Sequence, residues 1–207
     1  MTEDLRFTEI EHKYVVGERF DLRRFRDVLG HMHPTRMTSV RVRDRYYLTE
    51  AGRGRGFMIR HRYDAELHHL TLKTLEADTE VRAEINLDLG HHAGDQEAEV
   101  DAFLERLGVE WSGTVHKDVD VWYFPDSEVV YYQASTGSRS VRCVEFEAKG
   151  ARSTEAALAT LKTCERATGF DGAVRSRVSL VQMLFPEIGE LLAFAGGEAP
   201  DRERPEG

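Results

Sequence analysis

The stretch that decides the fold is EIEHKYVV, residues 9–16. Glu9, Glu11 and Lys13 occupy every second position, with apolar residues such as Ile10 between them. This alternation is typical of a β-strand, whose successive side chains point to opposite faces of a sheet. The simplest interpretation is a half-buried strand whose charged face meets water.

The same alternation recurs along the chain and predicts about eight strands, a number that can close into a barrel. Turn signals such as EAGRGRG and EADTE separate several of these runs. The predicted strands are LRFTEIEHKYVV, SVRVRDRYYLT, GFMIRHRY, LHHLTLKTL, EVRAEINLDL, TVHKDVDVWYF, SEVVYYQAS and SVRCVEFEAKG.

Apolar residues at helical spacing predict helices before, between and after these strands. The predicted helices are DLRRFRDVLG, capped by Asp21 and ended by Gly30; GDQEAEVDAFLERLGV, with Val100, Phe103, Leu104 and Leu107 on one stripe; STEAALATLKTCERATG, capped by Ser153 or Thr154 and ended by Gly169; and VRSRVSLVQMLF, stopped by Pro186. The class is therefore α+β with mostly antiparallel strands. We expect one domain over residues 1–187, followed over residues 188–207 by a helical turn and a disordered tail.

The composition is that of a globular protein, with 41% hydrophobic and 31% charged residues in 207. The formal net charge of -9 argues against a surface that coats nucleic acid, because such binding depends on Lys and Arg. Neither a secretory signal nor a membrane-spanning run is recognisable, so we expect a cytoplasmic protein with no membrane partner. Cys143 and Cys164 are interpreted as small core residues.

The charged faces of the strands are not mixed at random. Acids gather on the first and last strands, at Glu9, Glu11, Glu145 and Glu147, while bases gather on the middle strands. If helices cover the apolar faces of a closed barrel, the charged faces point into its lumen. Crowded carboxylates there need a cation, and oxygen ligands suit Mg²⁺ or Mn²⁺. Facing bases need an anion such as phosphate, so the pattern favours a polyphosphate site.

Glu9, Glu11 and Lys13 form an E-x-E-x-K pattern that resembles the signature of the CYTH domain, the triphosphate tunnel metalloenzyme superfamily. The resemblance continues in the family's order through YYLT, MIRHR, LTLK, VRAE, VHKD, VEFEAKG and RSRVSLVQML, over roughly residues 5–186. It implies an eight-stranded antiparallel tunnel with helices packed outside, which binds one or two divalent metals and a triphosphate.

The resemblance also implies roles for individual residues. Mg²⁺ or Mn²⁺ would be bound by Glu9, Glu11, Glu145 and Glu147. The triphosphate would be bound by Lys13, Arg60, Arg62, Lys73, Arg82, Lys117 and Arg177, the last reaching in from a C-terminal helix. Glu9, Glu11, Lys13 and Glu84 would be the catalytic group, with Glu84 organising the bases or a second metal. Three features depart from the family: Leu48 stands where an acid is common, Val119 stands where an Arg is common, and the strand EVVYYQAS lacks an aspartate that is common there.

The implied activity is metal-dependent hydrolysis of inorganic triphosphate, thiamine triphosphate or a nucleoside triphosphate. An adenylate cyclase of class IV uses the same metal and triphosphate contacts and is the first alternative. A tunnel that binds polyphosphate or nucleotide without turnover is the second. The partner is in each case a small molecule with a triphosphate group, and a homodimer is left open.

Overall fold

The computed structural model describes residues 5–75, 80–90 and 94–193, and its strands form one closed antiparallel barrel. The strands are β1 (Thr8–Val15), β2 (Arg36–Thr49), β3 (Phe57–Tyr63), β4 (His68–Thr74), β5 (Val81–Asp88), β6 (Val109–Tyr123), β7 (Ser127–Ser135) and β8 (Ser140–Ala148). Around the barrel the order is β1-β5-β4-β3-β2-β6-β7-β8. The predicted α+β class and the eight-stranded barrel are confirmed.

The helices in the described part of the chain lie before, between and after the strands. They are α1 (Leu22–His31), α2 (Glu50–Arg55), α3 (Glu97–Glu105), α4 (Thr154–Thr168), α5 (Leu180–Leu184) and α6 (Glu187–Ala193). None of them is long and apolar enough to span a membrane. The predicted disordered tail lies largely outside the described residues, from 194 onward.

Two of the helix starts are confirmed because their caps are local, although α1 continues one residue past the predicted end at Gly30, to His31. The Asp21 side chain accepts a hydrogen bond from the Arg24 amide at the start of α1. Ser153 does the same for Ala156 at the start of α4, and Gly169 ends α4 in the left-handed conformation at a φ of 82°.

Other boundaries differ from the prediction. The segment EAGRGRG, predicted as a turn, contains the short helix α2. The last predicted helix is too long, because α5 begins only after Ser179, whose side chain caps it. In α3 the predicted stripe is half wrong: Val100 and Leu104 are buried, whereas Phe103 and Leu107 are 61% and 51% exposed.

The main core lies between the outside of the barrel and helices α1 and α4. Ile10 and Tyr14 of β1 and Phe146 of β8 pack there against Phe25 of α1 and Leu161 of α4. Helix α3 covers the outside of another part of the barrel, where its buried residues contact Tyr47 of β2. The apolar strand faces therefore point outward to helices, and the opposite faces form the lumen.

Helices α5 and α6 pack at one end of the barrel, over apolar side chains that point inward. Leu48 of β2 is fully buried there with Leu184 of α5 and Ile188 of α6. Gly113 of β6 allows this approach, because a Cβ atom at this position would lie 2.6 Å from the Trp111 ring and 2.8 Å from the Phe185 ring. Leu48, which stands where the family commonly has an acid, thus belongs to the apolar closure of this end.

Candidate functional site

The barrel encloses a cavity of about 680 Å³ that contains the predicted site. All of the candidate residues line it: Glu9, Glu11, Lys13, Arg60, Arg62, Lys73, Arg82, Glu84, Lys117, Glu145, Glu147 and Arg177. Six of the eight strands contribute side chains to this site. They are β1 and β8, which carry the two E-x-E segments, and β3, β4, β5 and β6, which carry the bases and Glu84. The charged strand faces therefore line a lumen and are not the outer surface of an open sheet.

The pairing of β1 with β8 brings the two E-x-E segments together. Glu11 lies opposite Glu147, and Lys13 lies opposite Glu145. The Lys13 ammonium is 3.3 Å from a carboxylate oxygen of Glu11 and 3.3 Å from one of Glu145. This lysine is buried, so it neutralises two acids at the centre of the acidic wall.

Glu9 is held by bases from the next two strands around the barrel. Lys73 of β4 lies 3.1 Å from both of its carboxylate oxygens, and Nε of Arg82 on β5 donates to one of them at 2.5 Å. Arg82 also donates to Glu11 at 2.6 Å. Lys73 is shared further, because its ammonium lies 2.5 Å from Glu84. These contacts join the acidic and basic walls into one network.

The pKa values of the acids reflect this uneven pairing. Burial would raise the pKa of Glu9, but Lys73 and Arg82 hold it well below its usual range. Burial and the neighbouring Glu145 raise the pKa of Glu11. Burial and Glu9 raise the pKa of Glu147 to about 8. The acidic wall is therefore short of positive charge, despite the lysines and arginines that contact it.

This shortage is what a divalent metal would relieve, and the donor set fits such an ion. Four carboxylates on two paired strands offer only oxygen ligands, which are preferred by Mg²⁺ and Mn²⁺. Among the described residues, however, no three His, Cys, Asp or Glu side chains are already grouped around a common point. The carboxylates instead contact Lys or Arg, so metal binding would require these cations to release them.

Asp44 of β2 is a site residue that the sequence analysis missed. Its side chain is fully buried and accepts hydrogen bonds from both Nε and Nη2 of Arg62 at 2.8 Å, while the Lys117 ammonium lies 2.6 Å away. Burial would raise the pKa of Asp44, but Arg62 and Lys117 hold it well below its usual range. The alternation along β2 could have identified Asp44 as a lumen residue, because it shares its strand face with Val42 and Tyr46, which line the cavity.

Arg60 is only partly satisfied by the protein. One terminal nitrogen donates to the Thr71 hydroxyl at 3.2 Å and lies 3.6 Å from Glu84. Its buried Nε has no hydrogen-bond partner among the described residues. An unsatisfied buried guanidinium donor in a cavity is a suitable contact for a phosphate oxygen.

Arg177 is placed differently from the prediction. It lies between α4 and α5, outside any helix, so it does not reach in from a helix. Its side chain lines the cavity but is 68% exposed, and its guanidinium is 4.0 Å from Glu80. The physical reason is that the Ser176 amide donates to the Lys13 carbonyl at 2.7 Å, which ties this segment to the edge of β1.

Lys149 is a second residue that the sequence analysis missed. It follows Glu145 and Glu147 at the spacing of a second E-x-E-x-K pattern, and its ammonium lies 2.5 Å from Glu147 and 3.4 Å from Glu128. Its side chain is 40% exposed. The repeated pattern in VEFEAKG was the available signal, although Lys149 lies just beyond the end of β8 whereas Lys13 lies within β1.

The outward face of β1 fixes the strand that carries the E-x-E pair. His12 is fully buried and its Nδ1 contacts Glu165 of α4. The Tyr14 hydroxyl donates to the same carboxylate at 2.6 Å. His12 therefore faces away from Glu9 and Glu11, as its position in the alternation predicted, and α4 anchors β1 from outside.

No family model and no curated protein sequence matches the chain. Several solved structures are similar to it in fold. The PH1012 protein from Pyrococcus horikoshii is 14% identical with a TM-score of 0.68, and the match covers 85% of this chain and 99% of that one. A candidate adenylate cyclase from Bacillus halodurans is 15% identical with a TM-score of 0.53, over 86% of this chain and 97% of that one.

A third similar structure is HpAC1 from Hippeastrum, described as a candidate adenylyl cyclase with a dominant triphosphatase activity. It is 13% identical with a TM-score of 0.50, and the match covers 78% of this chain and 88% of that one. At these identities the likeness concerns the fold. The chain therefore shares its eight-stranded barrel with these proteins, and the fold implied by the resemblance to the triphosphate tunnel metalloenzymes is confirmed.

Proposed function

We propose that this protein hydrolyses a triphosphate inside the barrel in a divalent-metal-dependent reaction. The observation that carries the proposal is the placement of every candidate base and acid around one cavity of about 680 Å³. Such a concentration of cations beside an acidic wall suits a ligand that brings both negative phosphates and a metal. The triphosphatase activity described for the Hippeastrum protein is in accord with it.

The bases would bind and orient the phosphate chain. Arg60 has an unsatisfied donor for a phosphate oxygen, and Arg62 is kept in place by Asp44. Lys73 and Arg82, which contact Glu9, would transfer part of these contacts to phosphate. Glu84 would position Lys73 and Arg60 through the contacts already described. Charge that develops on the transferred phosphoryl group would thus meet preformed donors.

The metal, Mg²⁺ or Mn²⁺, would be held by Glu9, Glu11, Glu145 and Glu147. When bound, such an ion neutralises phosphate charge and polarises an attacking water molecule. In the overall reaction, water adds to the terminal phosphorus and the anhydride bond to the rest of the chain breaks. The products are inorganic phosphate and the shortened phosphate chain. Lys13, between Glu11 and Glu145, would keep these carboxylates ionised and close together.

The test is phosphate release from tripolyphosphate, thiamine triphosphate and nucleoside triphosphates, with Mg²⁺, with Mn²⁺ and with chelator. We expect release that depends on the metal and is abolished in the double variant Glu9→Gln, Glu11→Gln. Both metals should also raise the melting temperature of the wild type, by a stabilisation of about 2.7 kcal/mol at a hundred times the dissociation constant. Turnover that survives in the double variant would contradict the proposal.

The products distinguish the two alternative activities. Cyclic AMP and diphosphate from ATP would assign a cyclase, whereas phosphate release assigns a hydrolase. Tight binding of tripolyphosphate by calorimetry, with no product under any metal condition, would assign a binding protein. The matched control is Glu105→Gln on the exposed face of α3, which should leave activity and metal binding unchanged.

A further inference from the structure

One carboxylate of the acidic wall accepts a hydrogen bond from a neutral donor. The Tyr132 hydroxyl of β7 donates to Oε1 of Glu145 at 2.7 Å. In the described part of the chain, Glu9, Glu11 and Glu147 instead form their side-chain contacts with lysines and arginines. A phenol is uncharged near neutral pH, so Tyr132 holds Glu145 without adding positive charge beside it.

The Glu145 carboxylate is held at one oxygen only. Oε1 accepts the hydrogen bond from Tyr132 and lies 3.3 Å from the Lys13 ammonium. Both polar contacts of this side chain with the described residues involve Oε1, so Oε2 has no donor there. The side chain lines the cavity and is 19% exposed. Glu145 is therefore oriented by the protein and keeps one oxygen for a ligand.

The ring of Tyr132 is fixed independently of Glu145. It is 2% exposed and packs in the cluster that contains Ala134, Cys143 and Leu180. The Lys117 ammonium lies 5.3 Å from the centre of the ring, within the range of a cation–π contact. In the β7–β8 register Tyr132 lies opposite Cys143, so Glu145 is its diagonal neighbour, within reach of an aromatic side chain. Strand pairing and packing therefore set the position of the hydroxyl.

A cation that approaches the acidic wall meets different competitors at each carboxylate. Arg82 contacts both Glu9 and Glu11 at 2.5 and 2.6 Å, and Lys149 lies 2.5 Å from Glu147. At Glu145 the charged competitor is Lys13, at the longer distance of 3.3 Å. The hydrogen bond from Tyr132 does not compete, because it occupies Oε1 and carries no charge. Partners of this kind orient the ligands of metal sites and raise metal affinity.

We propose that Tyr132 is a positioning residue for the metal, which holds the Glu145 carboxylate so that its Oε2 is available as the first ligand of Mg²⁺ or Mn²⁺. This inference rests on the proposed function, since it concerns the metal of the same reaction. Tyr132 acts through Glu145 and does not contact the metal itself.

The experiment measures Mn²⁺ binding by calorimetry, without substrate, in the wild type and in Tyr132→Phe. Phenylalanine keeps the ring and its contact with Lys117 but lacks the donor. We expect the dissociation constant for Mn²⁺ to rise about tenfold or more. The Mn²⁺ concentration for half-maximal turnover should rise in parallel, while kcat at saturating Mn²⁺ stays within about threefold. Binding of tripolyphosphate with chelator present should stay within about twofold. A general loss of structure would lower all of these quantities together.

A double-mutant cycle with Glu145→Gln separates positioning from packing. Adding Tyr132→Phe to Glu145→Gln should weaken Mn²⁺ binding by less than about twofold, because the hydroxyl then has no carboxylate to orient. The same tenfold loss in both backgrounds would show that Tyr132 does not act through Glu145. The matched control is Tyr131→Phe, which should leave Mn²⁺ affinity unchanged, because the Tyr131 ring stacks on Phe20 in the core outside the barrel.

Urea denaturation shows whether each variant is folded. If Tyr132→Phe is not, Tyr132→Met takes its place in the same cycle. Unchanged Mn²⁺ affinity in a folded variant overturns the inference and leaves the hydrolase intact. Mn²⁺ binding without any turnover contradicts the proposed function alone, since calorimetry still decides the role of Tyr132. A wild type that binds neither Mn²⁺ nor Mg²⁺ overturns both.

Discussion

The Lys117 ammonium lies 2.6 Å from Oδ2 of Asp44, inside the barrel and between two strands that are directly paired. Arg62 donates two hydrogen bonds to the same carboxylate. One fully buried acid thus balances two cations, which would otherwise repel each other. Burial and the neighbouring Arg62 and Arg60 lower the pKa of Lys117, whereas Asp44 opposes that change. Asp44 therefore keeps the basic wall assembled before any anion arrives.

Replacing Asp44 with Asn should lower the free energy of unfolding by about 3 kcal/mol, because it leaves two buried cations without their counter-charge. Urea denaturation measures this loss. Tripolyphosphate should stabilise Asp44→Asn more than the wild type, since the anion replaces the missing charge.

The matched control for Asp44→Asn is Asp118→Asn, on the outer face of the same barrel. Asp118 lies 3.3 Å from Arg41, and both side chains are mostly exposed. Exposed pairs contribute about 1 kcal/mol or less, so this variant should unfold almost as the wild type does. Equal losses in the two variants would show that Asp44 has no special part in holding the cations.

Arg60→Lys should raise the KM for tripolyphosphate roughly tenfold or more, because a hydrogen bond to a charged group contributes about 1.5 to 3 kcal/mol. Lysine keeps the charge but lacks the planar fork and the Nε donor that remains unsatisfied in the structure. Steady-state kinetics of phosphate release measure the effect.

Arg45→Lys provides the comparison for Arg60→Lys. Nε of Arg45 is also buried without a hydrogen-bond partner among the described residues, but its guanidinium pairs with Glu97 and Asp101 outside the cavity. This variant should leave KM unchanged. If both variants raised KM alike, phosphate contact by Arg60 would be the wrong explanation.

Glu147→Gln should alter how stability depends on pH in the metal-free protein. Burial and Glu9 raise the pKa of Glu147 to about 8, so the folded state holds a proton that the unfolded state has lost above about pH 4.3. The wild type should consequently lose stability as the pH rises from about 4.3 to 8, by at most about 1.4 kcal/mol per pH unit from this group.

The Gln variant lacks this ionisation, so its stability relative to the wild type should increase over that interval and level off above about pH 8. Urea denaturation with chelator present, at a series of pH values, measures the difference. Glu105→Gln on the surface of α3 should run parallel to the wild type. A constant difference between Glu147→Gln and the wild type would contradict the raised pKa.

Much of the fold was predictable because a strand's period is a local property. The alternation around Glu9 and Glu11 assigns faces without knowledge of the rest of the chain. Caps such as Asp21 and Ser153 act within one turn and located two helix starts. The long final helix was wrong because hydrogen bonding to β1, a distant strand, overrides the local preference.

The sequence by itself determined the class, the strands and most of the acids and bases that share the lumen, with Asp44 and Lys149 missed, since the alternation of a strand depends on residues close together along the chain. Only the tertiary structure decided which charges meet. Asp44 pairs with Arg62 and Lys117, and Arg177 lies near Glu80 at the edge of the cavity. The register of the strands and the closure of the barrel set these pairings. Both depend on contacts between residues far apart in sequence, and no local pattern encodes them.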